Sequence, residues 1–540
     1  MVQQASIPTI VFVSALQEET DPLWSDPRFR WSEPQEAGDS IWFRSCVYPY
    51  CGREYRLVSA AACEMGLTAT TILTAKLVLR WQPLLVIGFG ICAGIKGRLL
   101  SLGDVIISTK ALLYQFGRNI DGQLLREKRE EKLCQEMEPI VHQFGASWPA
   151  TDVAKKFNRT GAVAPKARMG AYASADFVSR DELKMAEAAS LDTQVLAVDM
   201  ETYAILRTAR RIGAPYGGVS VKAVSDHGDK NKAKTGRGFV KFMSKEAAIG
   251  LAHQFMESCK LAPSAYRDTY EGSVPVRSDN RAAVLTICPA TRTYESLRDQ
   301  LTNPITTPPE DAAHPEICSG KLGDITLHLA RFPKGDAGHV DGALWATCLI
   351  AKCKPHFVLL AGPCGGFSQK GCRLGDLIIP NRAFHFQYGA FHHGSWLPEV
   401  RAVDIHDRIR GFLFAHAKDL LETAAAEQFR TYAGEPTPDG GQPGWHIEPI
   451  ASSDLYLRDT GKVNEAVKRD RKVIAVEMEG YAVMRAAVHA GVPLGCLIVR
   501  SVADFADKEG ARYADLANHM CTGVVMSLLL RGLGQLVSRS

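Results

Sequence analysis

The sequence predicts two homologous α/β layered domains in tandem. Three observations carry that expectation: the chain repeats itself, each half alternates short apolar strands with helical patterns, and 540 residues exceed one ordinary domain. A composition of 46% hydrophobic and 23% charged residues fits a globular protein with a sizeable core. Lys and Arg total 63 against 59 for Asp and Glu, a net charge of +4 that is nearly neutral at this size. No basic tail or single-sign block asks for nucleic acid or an anionic membrane, so the balance favours a small-molecule ligand.

The repetition is ordered. Leu102-Gly103-Asp104-Val105-Ile106-Ile107 returns 272 residues later as Leu374-Gly375-Asp376-Leu377-Ile378-Ile379. Ala197-Val198-Asp199-Met200-Glu201-Thr202-Tyr203-Ala204 returns 278 residues later as Ala475-Val476-Glu477-Met478-Glu479-Gly480-Tyr481-Ala482. Gly66 and Gly90 map to Gly338 and Gly362 in the first register, and Asp176 and Asp226 to Asp454 and Asp504 in the second. The expected boundaries are a first domain over 1–262, a linker over 263–280 and a second domain over 281–540. Pro263, Ser264, Gly272, Pro275 and Ser278 mark the linker as polar and turn-rich.

In chain order, Thr9 to Val13 is a β-branched apolar run that reads as a buried strand, with Ala283 to Ile287 as its counterpart. Thr68 to Leu79 and Ala343 to Ala351 have helical patterns. Leu84 to Ile87 then leads into Gly88-Phe89-Gly90-Ile91-Cys92-Ala93-Gly94, and Phe357 to Leu360 into Ala361-Gly362-Pro363-Cys364-Gly365-Gly366. Glycines at a strand end let backbone approach a ligand closely. Arg126 to Lys132 reads as a helix start with a solvated face, with Met137, Ile140, Val141 and Phe144 as the buried stripe. Gly217 to Val224 and Gly495 to Val502 read as buried strands, each followed by an aspartate, Asp226 or Asp504. Ligands of layered α/β domains bind outside strand ends, where these glycines and carboxylates fall.

Met1 to Pro8 has neither the basic nor the apolar region of a secretory signal, and apolar stretches such as Leu84 to Ile95 are short and Gly-rich for a bilayer span. The 14 cysteines are scattered from Cys46 to Cys521 without zinc spacing, as expected of buried thiols in a reducing, cytoplasmic setting.

These residues together resemble the purine nucleoside phosphorylase and nucleosidase superfamily, which includes the methylthioadenosine/S-adenosylhomocysteine nucleosidases and AMP nucleosidase. In the first half the resemblance rests on Ala15-Leu16-Gln17-Glu18-Glu19, Gly90 to Gly94, Leu102-Gly103-Asp104, Ser174-Ala175-Asp176-Phe177, Val198-Asp199-Met200-Glu201 and Val224-Ser225-Asp226. It covers almost the whole chain, once per half. It implies a three-layer α/β/α sandwich around a central mixed sheet. It also implies that the tandem chain is an intramolecular pseudo-dimer, open to homo-oligomer formation.

Cleaving a purine N-glycosidic bond requires relief of negative charge on the base and stabilisation of an oxocarbenium-like sugar. The resemblance assigns Asp226 as the acid that protonates the base and Glu19 as the carboxylate that activates water. The bland alternative for Asp226 is a loop or helix-capping role. Glu201 corresponds to the glutamate that binds the ribose diol, since one carboxylate can accept from two adjacent hydroxyls. Met200 would lie against the sugar and Phe177 on the base, with plain core packing as the alternative for both. Ser225 would support the acid, and Ile91 and Lys222 complete the expected substrate-binding set. Gln17-Glu18-Glu19 is acidic and without arginine, which disfavours a phosphate dianion and favours hydrolysis over phosphorolysis; Glu18 competes with Glu19 for the inward position. No metal or cofactor is called for, because proton transfer and water activation suffice.

The second half departs from this pattern. Thr293 stands opposite Glu19, with Arg292 beside it roughly where a phosphorylase arginine falls, and Ser453-Asp454-Leu455-Tyr456 reads like the hexameric phosphorylases. Pro363, however, has no N–H where a phosphate-binding residue is expected. Met478, Glu479, Arg500 and Asp504 are retained. This half is expected to bind a nucleoside or nucleotide but not to be a competent hydrolase, being degenerate or divergent, regulatory, or a contributor to the first half's site. The run His227 to Arg237 places four cations near the first site, either as a solvated loop or as a lid for a 5′-phosphate. Phosphorolysis, and nucleoside sensing without turnover, remain the alternatives to a nucleosidase.

Overall fold

Thr9 to Val13 opens the strand Thr9–Ser14, buried at every position. Its alternate side chains enter two different cores. Ile10 and Phe12 pack with Phe239, Met243, Ala247 and Phe255 of the helix Arg237–Ser258, whereas Val11 and Val13 pack with Leu73 and Leu77 of Leu67–Trp81 and Ile205 and Ala209 of Thr202–Arg211. A strand apolar on both faces needs a helical layer on each side, and that produces the three-layer arrangement. The computed structural model describes residues 7–36, 41–120, 123–157, 164–229, 237–259, 283–309, 314–392, 394–435, 437, 440–507 and 511–538. The linker expected over 263–280 and Lys230 to Gly236 of the basic run lie outside the described residues.

The residues group into two compact units, neither one contiguous stretch. The first comprises Met1–Gln115, Lys128–Thr269 and Gly389–Glu399; the second comprises Phe116–Glu127, Tyr270–Tyr388 and Val400–Ser540. In the first unit the main sheet runs Val195–Asp199, Ala167–Ser174, Val105–Leu113, Gly218–Asp226, Leu85–Gly94, Thr9–Ser14, Arg53–Ala61, Trp42–Tyr50, Gln35–Glu36. It is mixed: Gly218–Asp226 runs parallel to Leu85–Gly94 and antiparallel to Val105–Leu113. The sheet also curls, because Ala197 and Val198 pair antiparallel with Gly94 and Ala93. That closure brings the Asp199 to Glu201 turn to the glycine-rich strand end.

A second sheet of the first unit pairs Phe177–Arg180 in parallel with Gly389–His392, the first arm of a hairpin completed by Ser395–Pro398. The second unit holds the matching element, with Leu455–Arg458 parallel to Gly117–Ile120 of the hairpin that continues to Gln123–Arg126. Its main sheet repeats the central pairings of the first: Phe357–Gly366 lies parallel to Ala283–Ile287 and to Cys496–Asp504, and Gly365 and Gly366 pair antiparallel with Val476 and Ala475.

Most expected elements appear with slightly extended ends: Leu67–Trp81 and Gly338–Cys353 as helices, Gly218–Asp226 and Cys496–Asp504 as strands. Arg126 to Lys132 corrects the expectation of a helix start. Arg126 ends one strand, and Glu130–Lys132 forms another, antiparallel to Leu112 to Lys110. The helix begins only at Glu138, with Ile140, Val141 and Phe144 as its buried stripe and Met137 buried in the turn just before it. Charge density resembled a solvated helix face, but a sheet edge with one side to solvent has the same composition. The segment Ala514–Leu533 has the length and apolarity of a membrane span, yet 72% of its apolar window is buried in the fold, as in a core helix. Cys51 and Cys63 are exposed, Cys134 is half-buried, and the remaining cysteines are buried thiols.

Candidate functional site

Glu19 is the third residue of the helix Gln17–Trp24, and its side chain turns back over the helix start. One carboxylate oxygen, Oε2, accepts from the N–H groups of Ala15 and Leu16 at 3.2 Å each; Oε1 accepts from the Ile91 N–H at 3.0 Å. The approach of Oε1 to the strand Leu85–Gly94 requires glycine at position 90. A Cβ there would lie 2.5 Å from Oε1, and φ is +141°. Glu19 is buried, whereas Glu18 is half exposed and pairs with Lys241 at 3.1 Å. The inward position therefore belongs to Glu19.

Glu201 is buried at the start of the helix Thr202–Arg211. Its Oε2 accepts from the Lys222 ammonium at 2.5 Å, and its Oε1 accepts from the Gly66 N–H at 3.4 Å. Lys222 also pairs with Asp199 at 2.7 Å. Asp199 in turn accepts from Ser174 Oγ at 2.6 Å and from the Thr202 N–H and hydroxyl at 3.0 and 2.5 Å. Sequence reasoning missed Asp199 as a functional residue, although it lies in a repeated motif; its signal was a second carboxylate two residues before Glu201.

These charges set the protonation of the site. Burial pushes Glu19 up to about 7; the Lys222 ammonium opposes that shift and Glu201 reinforces it. Glu201 is likewise raised by burial, against the pull of Lys222. Burial alone would depress Lys222, but Asp199, Glu201 and Glu19 reverse this and hold its ammonium above the usual range.

Asp226 ends the central strand Gly218–Asp226 and is buried. Its Oδ1 accepts from the Gly228 N–H at 2.8 Å, and its Oδ2 lies 2.8 Å from Ser225 Oγ. That hydroxyl is also 3.2 Å from the Cys92 carbonyl, so its single proton can serve either acceptor.

A cavity of about 120 Å³ collects Glu19, Ile91, Phe177, Met200, Glu201, Ser225 and Asp226, together with Asp199 and the unanticipated Met65 and Ser179. Lys222 is not among the lining residues; it lies behind the carboxylates it joins. The Phe177 ring packs edge-on against Tyr114, Phe391 and Trp396 at centroid distances of 5.2, 5.1 and 6.4 Å. Phe391 and Trp396 come from the Gly389–Pro398 hairpin, a contribution with no local sequence signal. The hairpin is pinned where Asp181 Oδ2 accepts from the Gly394 N–H at 2.9 Å.

The second unit has a corresponding cavity of about 180 Å³, lined by Pro363, Cys364, Leu455, Tyr456, Glu477, Met478, Glu479, Arg500 and Asp504 among others. Arg500 pairs with Glu477 at 2.5 Å and Glu479 at 3.2 Å. Burial raises Glu479 to about 7, opposed by Arg500 and reinforced by Glu477. Burial also raises Asp504, opposed by the Ala506 N–H and by the Tyr456 hydroxyl, which donates to Asp504 Oδ2 at 3.3 Å. Arg292 corrects the expectation of a site arginine. It is 64% exposed, pairs with Asp515 and does not line the cavity. As the second residue of the helix Thr291–Arg298 it lies next to Thr293 on the helical wheel, and it is Thr293 that turns into the core.

The chain is similar to known proteins in each half. A 5′-methylthioadenosine/S-adenosylhomocysteine nucleosidase of Exiguobacterium sp. is 27% identical over 213 residues, 39% of this chain and 81% of its own. An ATP nucleosidase Cap17 of Escherichia coli is 28% identical over 215 residues, 38% of this chain and 41% of its own. The crystal structure of a methylthioadenosine/S-adenosylhomocysteine nucleosidase of Colwellia psychrerythraea in complex with adenine aligns with a TM-score of 0.36 and 20% identity, over 46% of this chain and 95% of that one. The profile described as the phosphorylase superfamily matches residues 9–253 and again 283–523, one copy in each half. The chain belongs to the phosphorylase superfamily.

Proposed function

We propose that the chain is a nucleosidase that hydrolyses the N-glycosidic bond of a purine nucleoside or nucleotide in the first-half cavity, releasing free base. The observation that carries this reading is the Glu19 carboxylate, buried in the same cavity as Asp226 and poised near neutral pH by its surroundings. A base with that proton affinity can take a proton from water at the working pH of a cell. Phosphate, in contrast, would have to enter beside a carboxylate.

The geometry supports the following division of labour. Glu201 faces the cavity with its second oxygen tied back to Lys222, a posture suited to accepting from the ribose 2′ and 3′ hydroxyls. Met200 and Phe177 supply the apolar walls for sugar and base. Asp226 delivers a proton to N7 of the base as the C1′–N9 bond breaks, its electron pair passing into the purine. Water adds to C1′ and gives its proton to Glu19. The products are the free base and the ribosyl compound bearing a new C1′ hydroxyl. The carboxylates gathered around the sugar favour the cationic transition state over the neutral substrate.

The relatives that are nucleosidases support hydrolysis as the reaction. The test is chromatographic detection of free base from adenosine, inosine, methylthioadenosine, S-adenosylhomocysteine, AMP and ATP, with and without inorganic phosphate. Base released without phosphate is the expected result. Release only with phosphate would replace hydrolysis by phosphorolysis.

A further inference from the structure

We propose that the second-half cavity binds a purine nucleoside or nucleotide and holds it without hydrolysis. The inference rests on the reading of the first cavity as a nucleosidase site, because it compares the two position by position.

The changes divide by the job each position does. At the water end two partners have been lost together. Glu19 is replaced by Thr293, fully buried, whose hydroxyl donates to Asn518 Oδ1 at 2.6 Å rather than facing the cavity. Ile91, whose N–H holds Glu19, is replaced by Pro363, which has no N–H to give. At the base end Ser225 gives way to Ala503, and the Tyr456 hydroxyl takes the place beside Asp504.

At the sugar end the set is rebuilt. Met478 and Glu479 stand where Met200 and Glu201 do. The Asp199–Lys222 pair has become Glu477–Arg500, both side chains different yet still joined at 2.5 Å and still reaching Glu479. Glu477 also accepts from the Gly480 N–H at 2.8 Å, anchoring it to the start of the helix Gly480–His489. Three charged groups buried against one another contribute little to stability compared with apolar residues of the same volume, since each must be desolvated. Their presence together points to a ligand rather than to the core. Leu455 in place of Phe177 keeps an apolar wall, and the cavity is the larger of the two. What survives is the machinery for a ribose diol; what is missing is the means to activate water.

Equilibrium dialysis of the full-length chain tests this with radiolabelled adenosine, methylthioadenosine and AMP as probes. Glu19→Gln slows hydrolysis in the first cavity by about 10²- to 10⁴-fold, so that bound probe can be counted and recovered before it is consumed. The expected result is two equivalents of one probe per chain, recovered intact. Adding Glu479→Gln should remove one equivalent, and adding Leu455→Trp, which fills the second cavity from its apolar wall, should do the same. Folding of each variant is checked by circular dichroism, and the two act through different sides of the pocket. Loss of no equivalent in either variant would overturn the proposal. So would base release that persists in Glu19→Gln and disappears on adding Glu479→Gln, because the second cavity would then be hydrolytic. Failure of the nucleosidase reading has a different signature: wild-type protein that releases no base from any probe, whatever the stoichiometry.

Discussion

Replacing Glu19 by Gln keeps the shape of the side chain and removes its capacity to take a proton. Three N–H groups surround it, those of Ala15, Leu16 and Ile91; the amide oxygen can still accept on one side, but the amide nitrogen presents a donor to whatever N–H lies on the other. Loss of a positioned general base lowers turnover by about 10²- to 10⁴-fold, equivalent to about 3–5 kcal/mol in the barrier. The assay is base release at saturating substrate across pH 5 to 9. In the wild type, turnover falls with unit slope as the pH drops below about 7, where Glu19 takes up its proton. In Glu19→Gln that acidic limb is absent from whatever activity remains. Stability moves with the opposite sign. A carboxyl raised from 4.5 to about 7 in the fold stabilises the protein below pH 4.5, and that contribution is lost as pH rises through about 7. At 1.36 kcal/mol per unit the loss is about 3 kcal/mol, so denaturant unfolding should show a steeper decline between pH 5 and pH 8 in wild type than in Glu19→Gln. Turnover within tenfold of wild type, or an acidic limb that does not move, would refute the assignment.

Other substitutions probe the neighbours of Glu19. Lys222→Met leaves Asp199 and Glu201 buried without their cation, which should cost about 3–5 kcal/mol in unfolding free energy; it should also move the acidic limb to higher pH, since Lys222 holds Glu19 down. Gly90→Ala puts a Cβ 2.5 Å from Glu19 Oε1, so base release should drop by at least tenfold while the variant stays folded by circular dichroism. Asp226→Asn should slow release of adenine by about 10²- to 10⁴-fold, and much less for a synthetic ribosyl substrate whose leaving group needs no protonation. Equal slowing of both substrates would exclude a proton-donating role. Trp396→Ala removes a ring that buttresses Phe177 from the hairpin, and should raise KM several-fold with little change in kcat.

How far the sequence could be read depended on the range of the interactions involved. Strands such as Thr9–Ser14 were legible because a doubly covered strand must be apolar through its middle, and that run is visible in Ile10 to Val13. Glu201 and Asp226 stood out because each recurs at a fixed place in the repeat next to an element end, whereas Glu19, opposite Thr293, was reached only through the family resemblance. Asp199 was harder, because its role comes from Lys222, 23 positions away in sequence and adjacent only once Gly218–Asp226 lies beside Leu85–Gly94. Arg292 was misread because one residue along a helix turns a side chain by about 100°, and pattern matching at a helix start does not resolve that step. The hairpins were invisible altogether. Nothing local in Gly389–His392 says that it pairs with Phe177–Arg180, some 210 residues earlier.

The two halves also act as a controlled comparison within one chain, and the pattern of their differences bears on how the site works. Glu19 ties the N–H groups that open its helix to the Ile91 N–H, and where Thr293 replaces it the residue at that second place is proline, which cannot make the bond. With no carboxylate to orient, the N–H at that place has no task, and Pro363 is tolerated. The cluster around Glu201 shows the reverse. Its ion pair differs in both members, Glu477 for Asp199 and Arg500 for Lys222, and contact with the neighbouring glutamate, Glu201 or Glu479, is kept. A buried charge left without its partner is expensive, and both replacements conserve charge, so each carboxylate keeps a buried cation beside it. The differences between the halves therefore fall into two groups, one around Glu19 and the Ile91 N–H and the other around Glu201 and its buried cation.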